Sequence, residues 1–161
     1  MNPHPIKKVY LLDTNILIEF SLWLPIDLYP SFWKNLAASL AKNEWVLLDE
    51  VVAEIKYNKP LEDWCKEQKQ RGYITKVSDE DRERAIVINS TYKMIDAASK
   101  NSTADTYLLA HAEANQLTIL SREGNRKKET DLFKIPDTCK ELHIPQERKP
   151  RHFYEATGLV E

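Results

Sequence analysis

A chain of 161 residues, 42% of them hydrophobic, can bury one substantial core, so we expect residues 1–161 to form a single domain. The formal net charge of -2 provides no overall positive field, and any nucleic-acid contact would therefore depend on a local basic patch. The two cysteines, Cys65 and Cys139, stand far apart with no secretory signal ahead of them, which predicts reduced thiols in a cytoplasmic protein and disfavours a structural zinc site. The apolar stretches are far shorter than the ~18 residues that a membrane helix needs, and the leader over residues 1–8 has no apolar core, so we expect a soluble protein.

Apolar runs alternate with helical periodicity along the first half of the chain. In chain order, we predict a strand over 9–12, a helix over 32–42 with Ser31 as its N-cap, a strand over 44–48, a helix that opens at Asp49 or Glu50, and a helix over 60–70 closed by Gly72. Proline interrupts the periodicity between Phe20 and Trp33, where aromatic residues are dense. These aromatic residues would form either a partner-binding ledge or, as we expect for Trp33 and Trp45, part of the core.

The second half continues the alternation. We predict a strand over 73–77, a helix that follows a capping box at 78–81, a helix that starts at Asn101 or Ser102, a strand over 117–120, a loop over 122–134, a helix with Pro136 in its first turn, and a helix over 153–157 ended by Gly158. Strands that alternate with helices predict an α/β fold, a three-layer α/β/α sandwich with a mostly parallel central sheet.

Four acidic residues fall on one predicted edge of this sheet. Asp13 ends the first strand, and Glu54 is predicted to lie early in the helix that leaves the second strand. Asp105 lies in the first turn of the helix that leads into the strand over 117–120, and Glu123 follows that strand. Each acid alone has a local explanation as a turn residue, a solvated helix residue, a capping residue or a loop residue.

Taken together, the four acids favour a metal site. Crowded carboxylates repel one another unless a positive charge lies among them. A site made only of oxygen ligands favours hard ions such as Mg²⁺ or Mn²⁺, which activate water and bind phosphate. The pattern therefore predicts metal-assisted hydrolysis of a phosphodiester.

At these positions the chain resembles PIN-domain ribonucleases. The resemblance lies in Leu12-Asp13-Thr14-Asn15, in Val51-Val52-Ala53-Glu54-Ile55, in the segment from Ala104 to Ala110, and in Thr118-Ile119-Leu120-Ser121 followed by Glu123. The late segment from Lys134 to Cys139 resembles an uncharacterised PIN-like subfamily.

The resemblance implies a Mg²⁺- or Mn²⁺-dependent endoribonuclease that is the toxin of a bacterial type II toxin-antitoxin pair. It implies that Asp13, Glu54 and Asp105 hold the metal, with Glu123 bound directly or through water, and that these four acids are the catalytic residues. Asn15 and Ser121 would orient carboxylates or water molecules.

The resemblance also implies an RNA substrate and a small antitoxin protein as partner. The best local basic patch is near the predicted acidic edge and comprises Arg122, Arg126, Lys127 and Lys128, although a solvated loop explains these residues equally well. A homodimer would suit a small domain with surplus aromatic residues. The four histidines, His4, His111, His143 and His152, show no ligand spacing, so we assign them no catalytic role.

Other function classes fit the sequence less well. A receiver-type phosphotransfer domain needs a phosphoacceptor on a middle strand and a lysine after a late strand, and neither is visible. A dinucleotide site needs Gly-x-Gly-x-x-Gly after the first strand, which is missing. A non-catalytic binding module that uses the aromatic segment or the basic loop remains the alternative.

Overall fold

A four-stranded parallel sheet forms the centre of the structure. The structure is a computed structural model that describes residues 8–96 and 102–160. Its strands are β1 (Tyr10–Leu12), β2 (Trp45–Val46), β3 (Thr118–Leu120) and β4 (Gln146–Glu147), in the spatial order β2-β1-β3-β4. All the neighbouring strands pair in parallel, which confirms the predicted α/β class with its parallel central sheet.

Helices fill the connections between these strands, because parallel neighbours need crossovers. They are α1 (Thr14–Trp23), α2 (Pro30–Ala41), α3 (Asp49–Val52), α4 (Lys59–Gln70), α5 (Asp79–Thr91), α6 (Thr103–Asn115), α7 (Ile135–Leu142) and α8 (Arg151–Thr157). The chain moves one way from β1 to β2 and the opposite way from β2 to β3 and β4. Since such crossovers are right-handed, the helices of the two directions cover opposite faces of the sheet.

Phe153 of α8 is the centre of an aromatic cluster on one face. Its ring contacts Tyr10 of β1 and Trp45 of β2, whose backbones are paired, with centroid distances of 5.7 and 5.9 Å. It also stacks on Phe20 of α1, and all four side chains are buried. Trp33 is buried as well, so the prediction that Trp33 and Trp45 belong to the core is confirmed.

Several predicted elements are confirmed within a residue or two. The predicted helix over 60–70 is α4, the capping box at Ser78 and Asp81 opens α5, and Ser102 is the N-cap of α6. Pro136 lies in the first turn of α7, and Gly158 ends α8 in a left-handed conformation with φ of 69°.

Other predictions were wrong. Ser31 is not an N-cap, because Pro30 already occupies the first turn of α2, where its fixed φ fits and its missing N–H is not needed. The segment 73–77 forms no strand beyond a single bridge between Thr75 and Leu48, since the Val77 amide donates to the Asp49 side chain instead. Helix α1 and strand β4 were not predicted.

Helix α3 is shorter than predicted, and Glu54 lies beyond its end rather than within it. The Val51 carbonyl accepts a hydrogen bond from the Thr14 hydroxyl at 3.2 Å, while the Ile55 amide donates to Val52. In a continuing α-helix the Ile55 amide would donate to Val51. The helical hydrogen-bonding pattern of α3 therefore ends where the Thr14 side chain contacts the Val51 carbonyl.

Both cysteines are free and buried, and burial raises the pKa of each thiol to about 12. They are therefore protonated and unreactive at neutral pH.

Among the helices of the described ranges, none has the length and apolar character needed to cross a membrane. Three predictions concern positions outside the described residues. They are the predicted leader (except for Lys8, which is described), His4, and the alternative helix start at Asn101.

The aromatic cluster yields a stability prediction. Phe153→Ala should lower the free energy of unfolding by about 3–5 kcal/mol, because it leaves a cavity where α8 packs against α1, β1 and β2. Urea denaturation measures this loss. The control, Val87→Ala on the exposed side of α5, should change stability by no more than about 0.5 kcal/mol. Equal losses in the two variants would contradict the assignment of Phe153 to the centre of the core.

Candidate metal centre

The candidate site lies where the chain reverses its direction across the sheet. Strand β1 is the first strand in sequence, β2 lies on one side of it, and β3 lies on the other. In open α/β sheets a crevice forms at the carboxyl ends of two such strands, and ligands bind there. Asp13 directly follows β1 and Ser121 directly follows β3. The Asp13 amide donates to the Leu120 carbonyl at 3.0 Å, so the two strand ends are fixed side by side.

Asp13 is held rigidly at this position. It is the N-cap of α1, where its Oδ1 accepts a hydrogen bond from the Thr14 amide at 2.7 Å. Its Oδ2 accepts a hydrogen bond from the Ser121 hydroxyl, also at 2.7 Å. The side chain is buried, and burial raises the pKa of Asp13 despite both bonds. The sequence left open whether Asp13 is a turn residue or a metal ligand. In the structure the same carboxylate caps α1 and lies at the candidate site, so one role does not exclude the other.

Asp105 and Glu123 meet Asp13 at the edge of the sheet. Asp105 lies in the first turn of α6, and Glu123 lies two residues after Ser121 in the loop that follows β3. One carboxylate oxygen from each of the three residues lies within 4.8 Å of the others. We call these three residues the acid cluster.

The charges of the acid cluster oppose one another in a poorly hydrated place. Burial and the carboxylates of Asp13, Glu123 and Glu54 raise the pKa of Asp105 to about 8. Burial and Asp13 raise the pKa of Glu123 to about 7, although Lys134 and the Ile135 amide act in the opposite direction. Nearby positive charge is therefore insufficient to balance the acids.

Ser121 connects the two strand ends. It is fully buried, donates to Asp13, and accepts hydrogen bonds from the Glu123 amide at 3.1 Å and from Asn15 Nδ2 at 3.4 Å. Asn15 in turn accepts a hydrogen bond from the Arg122 amide at 3.1 Å. Ser121 thus contacts Asp13 of the acid cluster, and both Ser121 and Asn15 contact the loop that bears Glu123. The resemblance to PIN-domain ribonucleases implies orienting roles for these two residues.

Glu54 lies near the acid cluster but outside its closest group. Its Oε2 lies 3.1 Å from the Thr14 hydroxyl, whose single proton is shared with the Val51 carbonyl, and burial together with Asp13 and Glu50 raises the pKa of Glu54 against this contact. It borders a polar cleft of about 410 Å³ between α3 and the start of α6. Sequence reasoning did not single out Thr14, although its position between Asp13 and Asn15 was a signal.

The two arginines of the predicted basic patch are engaged in internal contacts, whereas its two lysines are not buried. Arg122 forms a bidentate pair with Glu19, with N–O distances of 2.5 and 2.6 Å. Arg126 donates to the carbonyls of Glu129 and Asp131, and its guanidinium lies 3.9 Å from the centroid of the Phe133 ring. Lys127 and Lys128 are exposed.

The donor set fits a hard divalent cation. The acid cluster offers oxygen ligands, which Mg²⁺ and Mn²⁺ prefer, and one of them, Asp13, is fixed by Ser121 and by the start of α1. A cation there would balance the repulsion that raises the pKa of Asp105 and Glu123. The cluster could therefore hold a metal ion.

The fold and site define an α/β protein with a carboxylate cluster at the carboxyl edge of a parallel sheet. Residues 10–150 match the family described as a domain of unknown function, DUF4411, and the chain belongs to this family. A comparison with curated proteins gave no match.

Two solved structures are similar to the chain. One is VapBC2 from Rickettsia felis bound to a DNA fragment from their promoter, which is 17% identical with a TM-score of 0.46 and covers 71% of this chain and 87% of that chain. The other is FitAcB from Neisseria gonorrhoeae, which is 18% identical with a TM-score of 0.48 and covers 89% of this chain and 99% of that chain. Both similarities are remote, so the function is inferred from the residues of this chain.

The raised pKa values predict how metal-free protein responds to pH. The pKa of Asp105 is about 8 in the folded protein against an ordinary value of 3.8, so the folded state binds this proton more tightly than the unfolded state does. The corresponding stability is complete below about pH 4 and is lost as the pH rises through about 8. Urea midpoints measured in EDTA should therefore fall between pH 5 and pH 8, with Glu123 contributing to the fall.

Asp105→Asn tests the origin of this fall. The variant should flatten the pH dependence and should be more stable than the wild type at pH 8, because the amide cannot ionise. Mn²⁺ should raise the urea midpoint of the wild type at pH 8 and should raise that of the variant much less. A pH dependence that is identical in the two proteins would show that Asp105 does not titrate abnormally.

Proposed function

We propose that this protein is a metal-dependent endoribonuclease that hydrolyses RNA phosphodiester bonds. The single observation that supports this most strongly is the acid cluster, in which Asp13, Asp105 and Glu123 lie within 4.8 Å of one another. A charged phosphodiester could not approach these carboxylates unless cations neutralised them. The order of the acidic segments along the chain, which resembles that of PIN-domain ribonucleases, supports the same activity.

In this proposal, Asp13, Asp105 and Glu123 hold Mg²⁺ or Mn²⁺. A bound ion supplies the charge that neutralises the phosphate and lowers the pKa of a water nucleophile. Ser121 fixes one oxygen of Asp13, and the Thr14 amide fixes the other. Glu54, which lies beside the Thr14 hydroxyl, would add negative charge at the adjoining cleft and so favour a cation there. The fixed Asp13 carboxylate would reduce the reorganisation needed when substrate binds.

Cleavage of total RNA tests the activity. Wild-type protein with Mn²⁺ should cut RNA, and EDTA should abolish cleavage. Asp105→Asn should reduce the rate by at least about 100-fold, because loss of an outer-sphere partner alone costs 10- to 100-fold and Asp105 would contact the ion directly.

Asp63→Asn is the matched control for this variant. It makes the same chemical change at an exposed residue of α4 that pairs with Lys59, and cleavage should be unchanged. Cleavage by Asp105→Asn at the wild-type rate, or cleavage that persists in EDTA, would refute the proposed mechanism.

We further propose that the enzyme is the toxin of a toxin-antitoxin pair, that it acts in the cytoplasm, and that a small antitoxin protein binds it. The resemblance to PIN-domain toxins suggests this partner, and the surface offers apolar contacts for one. Leu22, Trp23 and Leu28 are 70%, 76% and 69% exposed around the end of α1. Leu22 also lines a cleft together with the exposed Tyr57. Exposed apolar groups in such number are typical of a binding surface. A homodimer remains a prediction.

Co-expression tests the partner. The product of a small adjacent gene that encodes a DNA-binding protein should co-purify with this chain and inhibit RNA cleavage. Trp23→Glu should weaken co-purification, because it places a charge in the apolar contact, whereas Val87→Glu on the exposed side of α5 should not. Equal co-purification of wild type and Trp23→Glu would exclude this surface, and failure of any adjacent gene product to bind would count against an antitoxin.

A further inference from the structure

Strand β4 brings an arginine to the same edge of the sheet as the acid cluster. Because β4 pairs in parallel with β3, the residue after β4 lies at the edge where β3 ends. That residue is Arg148, beside Arg122 and the loop that bears Glu123. The two residues of β4 carry no periodic signal in the sequence, so the position of Arg148 follows only from the structure.

The Arg148 side chain is held in a defined position. Its Nη2 donates to the Arg122 carbonyl at 3.1 Å, and Arg122 Nη1 donates to the Arg148 carbonyl at the same distance. A Cβ atom placed on Gly124 would lie 3.8 Å from Nη2 and 4.0 Å from Cζ of Arg148. The guanidinium is thus fixed over Gly124, the residue that follows Glu123 of the acid cluster.

Arg122 and Arg148 differ in whether a carboxylate neutralises their charge. Glu19 neutralises Arg122 through two hydrogen bonds. Arg148, by contrast, is exposed and forms no ion pair with any residue of the described ranges, and the Arg122 carbonyl takes only one of its five N–H groups. An oriented, unneutralised cation therefore lies beside Gly124, at the edge of the sheet that bears the acid cluster.

We propose that Arg148 binds a backbone phosphate of the RNA strand, next to the phosphodiester held at the acid cluster. The inference rests on the proposed ribonuclease function and adds a binding site to it. A guanidinium presents parallel N–H groups that match two phosphate oxygens. The open cleft of about 460 Å³ between Arg148, Arg122 and the Asn15 side of α1 leaves room for the strand.

The test measures binding without cleavage. A fluorescein-labelled single-stranded RNA oligonucleotide of mixed sequence is titrated with protein in Ca²⁺, which takes the same oxygen ligands, and affinity is measured by anisotropy at several salt concentrations. Arg148→Gln removes the charge but keeps a donor for the Arg122 carbonyl. It should weaken binding about tenfold, and the slope of log K against log salt should fall by about 0.7, the value for one lost phosphate contact with a single strand.

Two further variants separate this role from a structural one. Arg148→Lys should keep the salt slope of the wild type. Arg71→Gln makes the same charge change at an exposed arginine that caps the end of α4 and pairs with Glu67, and it should alter neither affinity nor slope. The urea midpoint of Arg148→Gln, and its shift with Mn²⁺, should match those of the wild type.

The outcomes distinguish this inference from the proposed function. Wild-type affinity and slope in Arg148→Gln, an equal loss in Arg71→Gln, or no binding of the oligonucleotide by the wild type would overturn the phosphate site. Binding that depends on Arg148 in a protein that never cuts RNA would support the phosphate site and refute the ribonuclease. RNA cleavage with unchanged binding in Arg148→Gln would refute only the phosphate site.

Discussion

The structure depends on the backbone pairing of β1 with β3 at the point where the chain reverses direction. The hydrogen bond from the Asp13 amide to the Leu120 carbonyl fixes two strand ends that are more than one hundred residues apart in sequence. Every acid of the cluster is placed relative to this junction. Asp13 follows one strand, Glu123 follows the other, and Asp105 lies at the start of the helix that leads into β3. The fold thereby brings three carboxyl groups into one crevice, where either protonation or a bound cation relieves the repulsion between their charged forms.

The supporting side chains show how the fold tolerates this repulsion. Asp13 accepts two short hydrogen bonds, from Thr14 and from Ser121, and so remains oriented even though burial raises its pKa. Ser121 is itself held between Asp13, Asn15 and the Glu123 amide. Within residues 8–96 and 102–160, no side chain donates a comparable bond to Asp105, whose pKa of about 8 is the clearest sign of unbalanced charge. A site that destabilises the empty protein is expected where a ligand supplies the missing interaction.

The sequence predicted the fold class and much of the site because long-range rules govern both. Parallel strands share one edge, so Asp13, Asp105 and Glu123 could be brought together from strand order alone. Glu54 was assigned to a helix because the apolar residues Val51, Val52 and Ile55 stand at helical spacing around it. Its true position depends on a contact between Thr14 and Val51, which local pattern cannot reveal. Strand β4 comprises only Gln146 and Glu147, too short for a periodic signal, so Arg148 was not considered. Helix α1 was not predicted because apolar residues stand on both of its sides, which hides the helical periodicity. Ile16 and Leu17 are buried, whereas Leu22 and Trp23 are exposed.

Calorimetric titration with Mn²⁺ tests the central claim most directly, since it asks whether the acid cluster captures a hard cation without requiring a known RNA. The account predicts saturable binding to the wild type at neutral pH that Asp105→Asn and Asp13→Asn each reduce strongly. Binding that is absent from the folded wild type, or that is the same in all three proteins, would contradict it.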